Sequence, residues 1–192
     1  MAGINTPDIS ILSEEFLKEV QKMPQKNLAV ELLNKLINDQ VKSKFKTNIV
    51  KQKKFSDLLQ NALSKYQNRS IEAAQVIAEL IEMAKEFKKD IEKTDELNLD
   101  PAENAFYDAL SNNKSAEDLM GEEVLIEIAR EVAEKLRQNV SVDWSVRESV
   151  RARLRLIVKN LLRKYKYPPD NQDEAVELVL SQAEMVSEEL VA

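Results

Sequence analysis

Apolar residues recur at spacings of three and four along almost the whole chain, and no segment alternates with period two for more than a few residues. That periodicity selects amphipathic helices and leaves almost nothing from which to build a sheet. Leu28, Leu32, Leu33, Leu36, Ile37 and Val41 form one such stripe. Phe55, Leu58, Leu59, Ala62, Leu63 and Tyr66 form a second, and Ala73, Val76, Ile77, Leu80, Ile81, Ala84, Phe87 and Ile91 a third. Phe106, Tyr107 and Leu110 mark a shorter helix, and Leu125, Ile128, Ala129, Val132 and Leu136 another. Further stripes run through Val146, Val150, Leu154, Ile157, Val158, Leu161, Leu162 and Tyr165, and through Val176, Val179, Leu180, Ala183, Val186 and Leu190. The expected fold is all-α: an irregular bundle of about seven or eight amphipathic helices with essentially no sheet. Only Asn139–Val142 is read as a short extended piece.

The punctuation agrees. Gly3 and Gly121 are the only glycines in 192 residues, so helix ends must rely on other residues. Ser13 is placed to cap a short helix that ends near Met23 and Pro24. Asp100, Pro101 and Glu103 spell a capping box with proline at the first helical position. Ser115 is read as the cap of a single turn stopped by Gly121. Asp143 is read as the cap of a long basic helix that runs to Tyr167 and is stopped by Pro168 and Pro169. Asn98, Asn112 or Asn113, and Asn139 are the candidates for left-handed turns. The chain reads as a single helical domain over 1–192, with sub-halves 8–92 and 100–192 and a hinge near 92–100.

Two absences exclude whole classes of chemistry. There is no histidine and no cysteine. Imidazole bases, Ser-His pairs, thiolate nucleophiles, zinc fingers and disulfides are therefore ruled out. Scarce glycine argues against phosphate loops and dinucleotide fingerprints. No apolar run is long enough to span a membrane, the N-terminus lacks the basic region of a signal peptide, and a cytoplasmic location is expected. The adjacent carboxylates Asp95–Glu96, Glu122–Glu123 and Asp173–Glu174 point about 100° apart on a helix and make no general acid–base pair. Glu86 and Lys88, set beside Pro7–Asp8, loosely resemble a nuclease metal motif, but Glu86 lies in a helical run and the motif is rejected. No catalytic, cofactor-binding or metal-binding residue is assigned.

Charge is strongly segregated, although the net value is only −6. Residues 41–54 carry Lys42, Lys44, Lys46, Lys51, Lys53 and Lys54 and no acid. Residues 95–134 and 170–192 are acidic blocks, and residues 143–166 are strongly basic. On the basic helix Arg147, Arg151, Arg155, Lys159 and Arg163 follow one another at steps of four beside the apolar face. Two interpretations stand open: a surface for phosphates or an acidic partner, or a solvated face paired with the acidic helices of the same domain. Of these, Arg151, Arg155 and Lys159 are expected to be at least partly exposed and to form part of a docking surface. For the lysine cluster, around a helix junction, the alternatives are a solvated turn and a phosphate-steering patch. Trp144 is read as a packing anchor.

Four stretches carry a resemblance to a known family: LAVELLNKLINDQVKS (28–43), KFSDLLQNALSKYQNRSIEAAQVIAELIEMAKE (54–86), AFYDAL (105–110) and VDWSVRESVRARLRLIVKNLLRKYKYPPD (142–170). They resemble the C-terminal helical region of the R (restriction) subunit of type I restriction-modification enzymes, over about Asp8 to Val191. The most specific segment is VDW-x-x-RESVRA-x-L followed by RKY-x-YPPD. Lys166 stands where glycine would be expected before YPP. The resemblance implies an excised, non-catalytic assembly domain of a subunit that cuts foreign DNA after ATP-driven translocation. ATP and Mg2+ would act in upstream domains, and no cofactor is expected in this chain. Implied partners are the methyltransferase and specificity subunits and the subunit's own upstream motor domains, with DNA as a further candidate and no membrane. A duplex-backbone-binding module and a purely structural brace are the alternatives.

Overall fold

The computed structural model describes residues 12–139 and 148–186. Within them every regular element is helical: nine α-helices and one short 3-10 turn, Pro169–Asn171. The seven-residue Lys114–Met120, read in the sequence as a single turn, is a helix in its own right. The positions assigned to Asp143, Trp144, Val146, Arg147, Leu190 and the extended piece 140–142 lie outside the described residues, as do Pro7 and Asp8. Contacts group the chain into two compact units. One comprises the chain up to Lys46 together with Lys51–Leu97, and the other comprises Thr47–Val50 and the chain from Asn98 onward.

The first unit is built from α1 (Glu14–Lys22), α2 (Lys26–Lys44), most of α3 (Ile49–Gln67) and α4 (Ala73–Glu96). α4 is its spine, and both α1 and α2 pack on it. Val76, Ile77, Leu80, Ile81, Met83, Ala84 and Phe87 turn inward, as their spacing requires. Three rings close one end of the core: Phe45, Phe55 and Phe87, with centroids 5.1–5.7 Å apart. On α2 the buried positions are Ala29, Val30, Leu33, Ile37 and Val41. Leu28 is 53% exposed and Leu32 and Leu36 only half-buried, so the face is rotated from the one the leucines suggest. The rotation draws the amide of Gln40 into the core, where neither of its polar atoms finds a hydrogen-bond partner. The alternation of Leu and Ile in this helix is rich enough to serve two neighbouring faces, and only packing against α4 chooses between them.

The second unit holds α5 (Pro101–Ser111), α6 (Lys114–Met120), α7 (Glu122–Asn139), α8 (Glu148–Lys164) and α9 (Gln172–Met185). α5 is central and packs on both α7 and α9. Seven of its eleven residues are buried, among them Ala102, Ala105 and Ala109. Those small side chains let it approach two neighbours at once. α8 lies against both α7 and α9, presenting Leu154, Val158, Leu161 and Leu162.

Helix ends follow the expected chemistry at some positions and depart from it at others. Ser13 Oγ accepts the Phe16 amide at 3.3 Å. Asp100 accepts the Glu103 amide at 2.9 Å while Glu103 accepts that of Asp100 at 3.1 Å, completing the capping box. Gly121 ends α6 at φ +76°. The cap of α6 is Asn113, whose side chain accepts the Ser115 amide at 3.0 Å, rather than Ser115 itself. Asn98 is left-handed at φ +55° as expected, but Asn112 is right-handed helical, Asn113 extended and Asn139 within α7. Two cations occupy the other left-handed positions, Arg69 at +56° and Lys166 at +55°. Each sits in the same double-bonded C-terminal turn. The Tyr167 amide donates to Leu162 O at 2.8 Å and the Lys166 amide to Arg163 O at 3.0 Å. Around Arg69 the pairs are Ser70 to Lys65 and Arg69 to Tyr66. This is the Schellman arrangement, in which glycine normally holds the left-handed residue. α8 therefore ends at Lys164, and the backbone has already reversed before the prolines.

Two expectations follow for stability. Replacing fully buried Ile77 or Leu154 with Ala costs about 2–5 kcal/mol, and an unchanged melting temperature in both variants would contradict the packing described. Lys166→Gly acts in the opposite direction. It removes the left-handed penalty on a side chain, a gain of about 1 kcal/mol, and thermal melting that shows a lower midpoint would refute the assigned backbone geometry.

Candidate functional site

The cations singled out in the sequence fall into two groups, one in each unit. α8 carries the first. The 165–171 turn sends α9 back against α8, and three rungs join the two helices: Arg151 with Glu184, Arg155 with Glu177 at 2.8 Å, and Lys159 with Asp173 at 2.7 Å. On the neighbouring side Lys164 reaches Glu131 of α7 at 2.7 Å. Tyr165 adds to that contact, its hydroxyl lying 2.7 Å from Glu131 and 3.0 Å from Glu127. Arg151, Arg155 and Lys159 are partly exposed, yet each has an acid of its own domain as partner. Arg163 is exposed and stands outside the rungs, and Arg147 lies outside the described residues.

The titration behaviour agrees with this pairing. The Lys159 ammonium bonded to Asp173 holds that carboxyl below its ordinary value. Glu131 is lowered by Lys164 and then by Tyr165. The phenol of Tyr165 is pushed well above its usual value, first by its bond to Glu131. The two carboxyls are lowered by donors that favour their charged form, and the phenol is raised because the carboxylates beside it hold its proton in place.

The lysine cluster in the other unit is heterogeneous. Lys51 is buried, donates to Thr94 Oγ1 at 2.6 Å and lies 5.3 Å from the centre of the Phe45 ring. Lys54 bridges Glu86 at 2.8 Å and Asp90 at 3.2 Å over the face of Phe55. Both belong to the packing of that unit. Lys42, Lys44, Lys46 and Lys53 are exposed, and none forms an ion pair among the described residues.

The adjacent carboxylate pairs singled out in the sequence make no shared site among the described residues. Asp173 and Glu174 sit in the first turn of α9, and Glu122 and Glu123 in that of α7, where they complement the positive end of each helix. A groove of about 980 Å³ runs beside α3 and α4, lined by Leu58, Ala62 and Met83. Three glutamates line it as well: Glu79 pairs with Lys65, Glu82 with Lys85 and Glu86 with Lys54. Among the described residues no group of three or more acids could hold a metal ion, and no helix is long and apolar enough to cross a membrane.

Several structural residues were not visible in the sequence. Gln182 is fully buried in α9; its Oε1 accepts the Ile49 amide at 2.9 Å and its Nε2 donates to the Thr47 carbonyl. Asn48 donates to Asp108 at 2.6 Å. Tyr167 is buried and donates to the Leu110 carbonyl at 2.7 Å. A lone glutamine in a helical stripe gives no pattern by which such a clasp could be found.

Comparison with known proteins adds the family context. Residues 1–189 match the family described as "Type I restriction enzyme HindI endonuclease subunit-like, C-terminal". The chain is 46% identical over 184 residues to the type I restriction enzyme HindI endonuclease subunit of Haemophilus influenzae, covering 96% of this chain and 17% of that protein. It is 33% identical over 159 residues to the putative type I restriction enzyme MjaIXP endonuclease subunit of Methanocaldococcus jannaschii, covering 82% of this chain and 15% of that protein. No solved structure matches.

The buried phenol generates a pH prediction. Burial pushes Tyr167 up to about 12, against about 10 in an unfolded chain. Below pH 10 both states hold the proton and the stabilisation is complete. Between pH 10 and about 12 the unfolded chain releases its proton first, so stability falls as pH rises. Urea midpoints measured from pH 8 to pH 11.5 should fall more steeply in the native protein than in Tyr167→Phe. Parallel slopes would show that Tyr167 is not buried as described.

Proposed function

The chain belongs to the family of C-terminal regions of type I restriction enzyme endonuclease subunits, and from that membership we propose that it is an assembly domain without chemistry of its own. It spans about a sixth of the length of the curated relatives it matches, and that proportion carries the reading. In this reading the ATP-driven motor and the nuclease, with their ATP and Mg2+, lie elsewhere in a longer subunit. The helical domain couples them to the methyltransferase and specificity subunits. The charge arrangement supports the assignment. A basic helix that tracked DNA would keep its cations free for phosphates, whereas Arg151, Arg155, Lys159 and Lys164 are matched to acids of their own domain. Pairing of this kind leaves a largely charge-matched face on α8 and α9, one better suited to a protein than to a phosphate backbone. The brace alternative shares that face but needs no partner.

The immobilised chain should capture the methyltransferase and specificity subunits of its own restriction system from a purified mixture. It should show neither ATP hydrolysis nor magnesium-dependent DNA cleavage. Charge reversal of Arg151 and Arg155 to Glu should leave helical circular dichroism intact while weakening assembly or translocation in the full enzyme. Normal restriction by an enzyme that carries both reversals, together with no capture by the native chain, would leave the brace as the function.

A further inference from the structure

Within the 41–54 cluster, sorting the cations by partner leaves four lysines unassigned. Lys42 and Lys44 lie in the last turn of α2, Lys46 in the turn that follows, and Lys53 near the start of α3. All four are exposed and none has an acidic partner among the described residues. The bracketing acids Asp39 and Asp57 bridge none of them. Gln52 ties the start of α3 to the turn after α2: its Nε2 donates to the Phe45 carbonyl at 2.6 Å and to the Lys46 carbonyl at 2.8 Å. That clasp brings the first turns of α3 onto the end of α2. It also occupies carbonyls that would otherwise offset the positive charge there. Lys42 and Lys44 complement the dipole of α2, but Lys46 and Lys53 have no such role.

We propose that Lys42, Lys44, Lys46 and Lys53 form a sequence-independent binding surface for the phosphate backbone of duplex nucleic acid. Two features favour a nucleic acid over an acidic protein. The cations are all lysines, flexible point charges that impose no fixed geometry and so suit a phosphate array read without regard to sequence. Lysine is depleted at protein interfaces, which rely on buried aromatic, Met and Arg anchors. None of the exposed large apolar residues (Leu28, Leu58, Leu119, Leu156 and Met185) falls within 41–54, so this stretch supplies no such anchor. A surface that acts through lysine charge on phosphates would hold duplex of any sequence and steer it by charge.

The test is fluorescence anisotropy of the full chain with a short labelled duplex of random sequence, repeated across a salt series. Four phosphate contacts give a log–log salt slope of about −3.6, and affinity falls roughly 100-fold between about 50 and 200 mM salt. The variant carrying Lys42→Gln, Lys44→Gln, Lys46→Gln and Lys53→Gln should keep the native circular dichroism spectrum and lose nearly all of that slope. A variant with Arg151, Arg155 and Lys159 changed to Gln tests the paired helix and should bind within about twofold of the native chain. The proposal is overturned if the native chain shows no duplex binding at the lowest salt, or if the four-lysine variant keeps the native slope. It is equally overturned if that variant loses capture of a methyltransferase or specificity subunit while duplex binding is unchanged, since the surface would then be a protein dock. Subunit capture by the native chain is a separate measurement, so the assembly reading and this one can fail independently.

Discussion

In the second unit the arrangement depends on a turn made without glycine. Lys166 adopts a left-handed conformation that costs an L-residue energy, and the Schellman bonds around it reverse the chain directly after Lys164. The reversal drops Tyr167 into the core, where its hydroxyl satisfies the Leu110 carbonyl of α5. Pro168 and Pro169 then cannot continue a helix, and the 3-10 turn hands the chain to α9. One local conformation thus links α8, α5 and α9. Had α8 run on to Tyr167, that ring would point elsewhere and α9 would start from a different place.

The charge ladder is a consequence of this geometry. The sequence holds a basic block and an acidic block separated by a short proline turn, and an antiparallel return brings them face to face. Arg151, Arg155 and Lys159 meet Glu184, Glu177 and Asp173 in reverse order along the two helices. Exposed pairs of this type add little stability each. Their physical effect is cancellation, since Arg151, Arg155 and Lys159 each face an acid instead of standing as free cations. The packing itself comes from Leu154, Val158, Leu161 and Leu162 beneath them.

The first unit manages its cations differently. Lys51 and Lys54 lie over the rings of Phe45 and Phe55, so their charges are absorbed by aromatic faces, a hydroxyl and carboxylates at the edge of the core. Their neighbours Lys42, Lys44, Lys46 and Lys53 project into solvent. The six lysines of one sequence cluster therefore differ in surroundings: on α3, Lys51 and Lys54 face the rings and Lys53 does not, while Lys42 and Lys44 end α2 and Lys46 lies in the turn after it. The amide of Gln40 shows the cost of such packing. Its helix is held by apolar neighbours on both sides along the stripe, and the glutamine is carried into the core without hydrogen bonds, a penalty tolerated because the surrounding burial outweighs it.

The sequence by itself determined the helical class, the apolar stripes of α4, α7 and α9, the Asp100–Pro101–Glu103 cap and the stop at Gly121. Each rests on interactions between residues three or four apart, which a linear pattern contains in full. Family resemblance was likewise carried by local words such as RESVRA and YPPD. The tertiary structure alone decided the rest. It chose the buried face of α2 over the one its leucines suggest, placed cations at two left-handed turns, and set Gln182 against Thr47 and Ile49. It also settled which charges are matched. Partners such as Arg155 and Glu177, or Lys164 and Glu131, lie more than twenty residues apart, and whether they meet depends on how the chain reverses between them. No periodicity records that distance, so a cationic stripe in a sequence looks the same whether it awaits a phosphate or already holds a carboxylate.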